Sequence, residues 1–363
     1  MKSKDTKNAW IPFLYAGEPY VSGEQPQSEG WIKLNTNENP YPPAPGVARA
    51  LREVAEQPET LRLYPPADGG ALRRELAVYH GVAPENVFVG NGSDEVLAFA
   101  FRACFGGAAG RGPVLFADVT YSFYPVWCAY FGLPYETLKT DGRLRPGLSS
   151  YDRASRGVAL CNPNAPTGTG EGEAFVRALL AAHGDCIVLA DEAYADFADF
   201  TAIPLLSEYP NLLVVRSFSK GRSLAGARIG YALGDARVIS ALTAAKDSFN
   251  SYPLDRAAIA AGAASLADEN YYRDTAAKII RTREETASAL SAMGYDVLPS
   301  QANFLFMGCG SASRARALFA FLREAKILVR YFEKPRVDDR LRVSVGTDAE
   351  MAAFLARVKE FAE

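Results

Sequence analysis

The sequence predicts an α/β protein, a doubly wound and mainly parallel sheet joined to a smaller α+β domain, and three observations carry that expectation. Short apolar runs at Val114 to Phe116, Val158 to Cys161, Cys186 to Ala190 and Leu212 to Val215 are rich in Val, Leu and Ile, as strands buried on both faces require. Helical stretches such as Glu171 to Ala182 lie between some of them, and alternating strands and helices argue for a doubly wound sheet. After about residue 250 the alternation gives way to a long Ala-rich stretch, Arg256 to Leu290, that reads as one or two helices.

In order along the chain, residues 1 to about 35 are polar and turn-rich, with Trp10, Tyr15 and Tyr20 scattered through them. They read as an arm that becomes ordered on a body. Asn35-Thr36-Asn37-Glu38-Asn39-Pro40 is a turn cluster, and Pro42, Pro43 and Pro45 forbid a helix until about residue 46. Ala71 to Tyr79 is helical, Val87 to Val89 is a short strand, and Ser93 to Phe105 is a helix with Ser93 or Asp94 as its cap. Beyond the Ala-rich stretch come strands at Asn303 to Met307 and Leu341 to Val345 and a closing helix from about Asp348. The expected division is residues 1–50 as the arm and part of the small domain, 51–250 as the large domain, and 251–363 as the rest of the small one.

Composition narrows the chemistry. With 48% hydrophobic and 22% charged residues and a net charge of -3, the 363-residue chain is an ordinary globular protein with no electrostatic case for nucleic acid. No apolar run approaches a membrane span, and MKSKDTKNAW lacks the apolar core of an export signal, so a cytoplasmic protein is expected. Five cysteines (Cys104, Cys128, Cys161, Cys186, Cys309) without a CxxC pair read as core thiols in a reducing compartment. Only two histidines exist, His80 and His183, each in a polar helix-end setting. Lysine, tyrosine and carboxylates are left to carry any catalysis, and no metal site is expected.

Turn motifs follow the expected strands at Val87 to Val89, Val158 to Cys161, Cys186 to Ala190 and Leu212 to Val215, and ligands of open α/β sheets collect at strand carboxyl ends. Gly90-Asn91-Gly92-Ser93-Asp94-Glu95 leads into a helix N-terminus, which offers N–H groups to a phosphate or is simply a capped helix start. Asn162-Pro163-Asn164-Ala165-Pro166-Thr167-Gly168 is a rigid loop able to aim a polar side chain. Asp191-Glu192-Ala193-Tyr194 follows five apolar residues; Asp191 is either a buried carboxylate in need of a cation or an acidic helix cap. Last comes Arg216-Ser217-Phe218-Ser219-Lys220, with Arg228 eight residues beyond the lysine. Hydroxyls and a guanidinium suit phosphate oxygens, and a lysine beside them is placed to join an aldehyde cofactor as a Schiff base; the alternative is a surface loop.

These strings, NPNAPTG, DEAY, SFSK and SLAGARIGY, resemble the fold-type-I pyridoxal-phosphate aminotransferases, and within them the histidinol-phosphate aminotransferase group. LNTNENPYPP, LRLYPP and LRVSVGT fit the same group, so the likeness runs from about Tyr20 to the C-terminus. The resemblance implies pyridoxal phosphate joined to Lys220, which would then move the substrate proton. It implies Asp191 on the pyridine nitrogen, Tyr194 on the ring's phenolic oxygen and Tyr121 stacked on the ring. Gly92, Ser93 and Asp94 through main-chain N–H groups, with Ser217, Ser219 and Arg228, would hold the phosphate. Tyr64 would reach the cofactor of a partner subunit, which implies a homodimer. Arg342 would bind the anionic end of the substrate, with Arg330, Tyr20 and Asn37 beside it.

The chain departs from the group's pattern twice. Ala165 stands where an asparagine normally contacts the phenolic oxygen. Either the loop offsets to present Asn164, the preferred reading, or Tyr194 holds that oxygen alone. Arg222 replaces an apolar or aromatic residue and is read as solvent-facing rather than as a further anion contact. The implied activity is amino transfer between glutamate and an imidazole- or aromatic-bearing substrate. An aromatic aminotransferase and a phosphothreonine-type decarboxylase are the rivals within the cofactor class. A non-catalytic cofactor-binding half of a transcription regulator would follow a basic DNA-binding segment, and none precedes residue 35. A nucleotide-binding protein would need a GxGxxG or GxxxxGK[ST] turn at a strand end, and none is present.

Overall fold

The computed structural model describes residues 17–107 and 112–362, so the expectations placed on Trp10 and Tyr15 lie outside the described residues. Elements follow in chain order as β1 (Ile32–Lys33), α1 (Pro45–Ala55), α2 (Gly70–His80), β2 (Val87–Asn91), α3 (Gly92–Phe105), β3 (Val114–Ala117), α4 (Tyr124–Phe131) and β4 (Tyr135–Leu138). Next come β5 (Gly157–Cys161), α5 (Glu173–Ala182), β6 (Ile187–Asp191), β7 (Leu212–Ser217), β8 (Ile229–Gly234), α6 (Ala236–Asp247), α7 (Arg256–Ala267) and α8 (Glu269–Ala292). The last are β9 (Asp296–Val297), β10 (Phe304–Gly308), α9 (Ala312–Glu324), β11 (Ile327–Leu328), β12 (Arg330–Tyr331), β13 (Arg340–Ser344) and α10 (Asp348–Ala362).

A seven-stranded sheet in the order β2-β8-β7-β6-β5-β3-β4 forms the large layer. Its strands β5, β6 and β7 are almost wholly buried, as their unbroken Val/Leu/Ile runs require between two helical layers. β8 is antiparallel to both of its neighbours, β2 and β7, while the other pairs are parallel. One reversed strand has a consequence for the site: the start of β8 lies at the same edge as the ends of β2, β6 and β7. Ile229 pairs with Asn91, and Gly230 pairs with Ser217. A four-stranded sheet, β12-β13-β10-β9, forms a second layer, and β1 pairs in parallel with β11 across nearly three hundred residues.

Some local expectations change. The helix after β2 has no side-chain cap; Asn91 takes the cap position and Ser93 and Asp94 sit in the first turn. Gly92, at φ +80°, makes the turn, so the first N–H groups of α3 are left facing the strand ends rather than a capping oxygen. The Ala-rich stretch divides at Asp268, whose carboxylate accepts the Gly46 N–H at 2.9 Å. His183 stands at the end of α5 and is buried, with its ring nitrogens 3.3 Å from Ser155 Oγ and 3.0 Å from Tyr151 O. Burial pushes the His80 imidazole down to about 4, where it faces the Tyr231 hydroxyl at 3.0 Å. None of the five cysteines forms a disulfide among the described residues; four are buried and Cys104 is half-buried. Among the described residues no helix is long and apolar enough to cross a membrane, and no cluster of metal-ligating side chains occurs.

Candidate active site

The strand ends open onto a cavity of about 280 Å³. Nine of the singled-out residues line it: Ser93, Asp94, Tyr121, Asp191, Tyr194, Ser217, Ser219, Lys220 and Arg228. The sheet explains the gathering, because Asp191 ends β6, Ser217 ends β7, Ser93 opens α3 after β2, and Arg228 precedes the reversed β8.

Asp191 is the most informative of these. It is 2% exposed, and its partners are the Tyr124 hydroxyl, which donates at 2.8 Å, and the Ala193 N–H at 3.3 Å. Neither is a cation, and burial pushes its carboxyl up to about 6. A buried carboxylate without a counter-charge costs free energy that a cationic ligand would recover. The alternative of an acidic helix cap does not hold, since Asp191 is the last residue of a strand.

Lys220 lies above the Tyr194 ring, with Nζ 5.7 Å from the ring centroid, and donates to Thr36 O at 3.2 Å. Burial first, then the positive charge of Arg342, lowers its ammonium to about 8, so a neutral amine is available near physiological pH. Tyr194 accepts a hydrogen bond from Asn37 Nδ2 at 3.0 Å, which leaves its own hydroxyl proton to give, and burial raises it to about 12. Arg228, in the left-handed region at φ +50°, lies 3.6 Å from Asp94. A Cβ on Gly92 would meet its guanidinium at 2.4 Å, so Gly92 admits no side chain on two counts, space and φ. The Tyr121 hydroxyl donates to Asp94 Oδ1 at 2.7 Å.

Arg342 is half-buried, with its guanidinium 5.3 Å from the Phe304 ring and 5.6 Å from that of Phe332. One amino group donates to Asn35 O at 3.0 Å, while Nε has no partner. Arg330 shares the Phe332 ring with Arg342: its guanidinium is 5.6 Å from that ring and donates to Val21 O and Ser22 O. Burial, with the nearby Arg330 charge among the further causes, lowers the Arg342 guanidinium from its ordinary value. Neither arginine forms an ion pair with a carboxylate among the described residues, an arrangement that suits an anionic substrate group. Tyr20 stacks on Phe123 at 4.4 Å and lies 6.4 Å from Tyr121. Asn37 is a hub, bonded to Tyr194, Ser344 and Asn303.

Three placements correct the expectations or stand apart from them. Asn164 is not offset into the cavity. Its side chain accepts from Thr120 Oγ1 at 2.8 Å and donates to Val119 O and Thr167 Oγ1, so its polar atoms are spent on its own loop and on the turn after β3, and Ala165 lines the cavity instead. Arg222 does not face solvent. It is buried, donates to Ser265 O at 2.7 Å, pairs with Glu269 at 3.1 Å and lies 4.2 Å from the Tyr272 ring. Aromatic faces and one carboxylate satisfy a guanidinium there better than water would. Tyr64 is exposed, stacked on Tyr252 at 4.6 Å, and does not line the cavity.

Sequence reasoning missed Gln25, Thr36 and Glu38, which line the cavity from the N-terminal segment. The turn cluster around Asn35–Asn39 was the only signal for them.

The donor set fits pyridoxal phosphate: an amine for the aldehyde, a carboxylate without a cation for the ring nitrogen, and helix N–H groups, hydroxyls and a guanidinium for the phosphate. Residues 29–358 match the aminotransferase class I and II family, and the chain belongs to it. Its relatives include the histidinol-phosphate aminotransferase of Chromohalobacter salexigens, 48% identical over 346 residues, 95% of this chain and 97% of that one. Histidinol-phosphate aminotransferase 2 of Thiobacillus denitrificans is 46% identical over 360 residues, 99% of each chain. The structure of histidinol-phosphate aminotransferase from Sinorhizobium meliloti, solved with pyridoxal-5'-phosphate, matches with a TM-score of 0.82 at 29% identity, over 91% of this chain and 90% of that one.

Proposed function

We propose that this protein is a pyridoxal-phosphate-dependent aminotransferase moving the amino group of histidinol phosphate to 2-oxoglutarate, and that it works as a cytoplasmic homodimer. The observation that carries the reading is Asp191, a buried carboxylate without a cation, sharing one cavity with the depressed amine of Lys220. Near-full-length relatives at 46–48% identity, all named for histidinol phosphate, point to the substrate.

When bound, pyridoxal phosphate supplies an aldehyde that condenses with amines and a ring that takes up the electron pair released at the substrate's Cα. Asp191 would accept the ring N–H and hold that proton in place by charge. Tyr194 would donate its free hydroxyl proton to the ring's phenolic oxygen without help from Asn164, and Tyr121 would cover a ring face. The N–H groups of Gly92, Ser93 and Asp94, the hydroxyls of Ser217 and Ser219, and Arg228 would hold the phosphate. Lys220, its ammonium lowered to about 8 so that a neutral fraction is available, would take the proton from Cα and return it at C4′, the aldehyde carbon of the cofactor. Arg342 would hold glutamate's carboxylate in one half-reaction and the phosphate of the other substrate in the next, with Arg330, Tyr20 and Asn37 around it. Tyr64, exposed in a single subunit, would serve the partner's cofactor.

The test is a panel of half-reactions. The protein is mixed in turn with histidinol phosphate, phenylalanine, tyrosine and glutamate, and the cofactor absorbance is followed. Histidinol phosphate and glutamate are expected to convert the cofactor fastest. Arg330→Ala should then weaken histidinol phosphate about tenfold more than phenylalanine, the size of one lost charge-assisted hydrogen bond. Equal losses, or a wild-type preference for phenylalanine, would move the chain to the aromatic aminotransferases.

A further inference from the structure

The peptide that follows Lys220 is gripped from two sides. Asn39 Nδ2 donates to Lys220 O at 2.9 Å and to Gly221 O at 3.2 Å, while its Oδ1 accepts from Tyr41 N at 3.0 Å. From the opposite side the Gly221 N–H donates to Asp196 Oδ2 at 3.1 Å. Asp196 is itself fixed by Arg216 at 2.5 Å and by the Tyr272 hydroxyl at 2.8 Å. The approach is close: a Cβ on Gly221 would lie 2.3 Å from Asp196 Oδ2. Immediately beyond, Arg222 is pinned to Ser265 O and Glu269.

The large domain therefore supplies one jaw, and the N-terminal segment supplies the other. That segment also provides the Thr36 carbonyl that accepts from the Lys220 amine, the Asn35 carbonyl that accepts from Arg342, and the Asn37 amide that donates to the Tyr194 hydroxyl. A lysine side chain has four rotatable bonds, so the reach of its amine is set by where its backbone points. A misplacement of about 1 Å at a reacting centre costs on the order of 10²-fold in rate.

We infer that Asn39 is a positioning residue for Lys220, its amide fixing the Lys220–Gly221 peptide so that the amine stays between the Tyr194 ring and the Thr36 carbonyl. The inference rests on the reading of Lys220 as the reacting amine. By this account Asn39 touches neither cofactor nor substrate; it acts through the backbone of Lys220 alone.

Two variants separate this from a role in the Asn39–Tyr41 turn. Asn39→Ser keeps an oxygen for the Tyr41 N–H but loses the two-donor amide. Asn39→Asp keeps the shape and the acceptor but turns the donor into an anion facing two carbonyl oxygens. The readouts are kcat and KM for glutamate, and the pH midpoint at which Lys220 is acylated in cofactor-free protein, followed by peptide mapping below the melting temperature. Both variants are expected to lower kcat about tenfold or more with KM within about twofold. Both should also raise the Lys220 midpoint from about 8, because a loosened turn admits water to the amine. An unmoved midpoint in both variants overturns the inference whatever happens to kcat, since a turn-forming role would change only stability. The midpoint is read without cofactor or turnover, so it stands apart from a failure of the aminotransferase reading, which Lys220→Ala would expose.

Discussion

Asp191 and Glu192 are neighbours in sequence, both buried, and treated in opposite ways. Glu192 accepts from Arg216 at 3.1 Å, from Thr201 Oγ1 at 2.6 Å and from the Ala202 N–H at 2.6 Å. Asp191 has one hydroxyl and one N–H, and no cation. Successive side chains at a strand end point to opposite sides, which sends one acid into a structural network and the other into the cavity. What the difference teaches is that burial of charge is not by itself a functional sign. The sign is burial with the counter-charge left out, where the fold accepts a cost that only a ligand can offset. Arg342 and Lys220 show the same pattern with the opposite charge, the first with an unpartnered Nε and the second with its ammonium depressed by burial.

Three substitutions break or sharpen the contrast. Lys220→Ala removes the reacting amine from the cavity side, and steady-state assays should find turnover reduced roughly 10⁴-fold or more. Absorbance should still show some cofactor retained through Ser217, Ser219 and Arg228; unchanged turnover would sink the reading of the whole cavity. On the structural side, Glu192→Leu leaves the Arg216 guanidinium and the Ala202 N–H short of a buried partner. Urea unfolding should register a loss of about 3–5 kcal/mol, with kcat of the folded protein within about threefold of wild type. A large fall in kcat without a loss of stability would mean that the two acids are not separable in this way.

The smallest expected effect is the one with the most direct bearing on the comparison. Asp191→Asn should lower kcat on the order of 10²-fold, because the charge holding the ring proton is gone. The same variant should make the cofactor-free protein more stable at pH 7 to 8. The folded carboxyl titrates at about 6 against an ordinary 3.8, so the folded state holds the proton more tightly than the unfolded chain does. Its favourable contribution is complete below the unfolded value and is lost as pH rises through about 6. Removing the charge should therefore gain on the order of 2–3 kcal/mol above that pH and little near pH 4. Unfolding curves at the two pH values check it, and an equal gain at both would show that the carboxyl is not perturbed.

Sequence alone determined the sheet, because an uninterrupted Val/Leu/Ile run is stable only between two helical layers, and it determined that turn residues after those runs would meet at one edge. That is why Ser93, Asp191, Ser217 and Lys220 were legible, each within a few residues of a strand end. It did not reveal the direction of β8, whose run Ile229–Gly234 carries two glycines and was passed over, though its reversal is what brings Arg228 beside Gly92. Other decisions belonged to tertiary structure because they depend on partners far away in the chain. Thr36 and Asn39 reach Lys220 from the segment that β1 anchors on β11, and Arg222 is buried because α7 and α8 arrive with Ser265, Glu269 and Tyr272. Asn164 turned inward because Thr120, Val119 and Thr167 together satisfy every donor and acceptor it has, a balance that no local pattern records. Local sequence fixes where a side chain can stand; the long-range contacts around it decide whether its polar atoms are already spent or still free for a ligand.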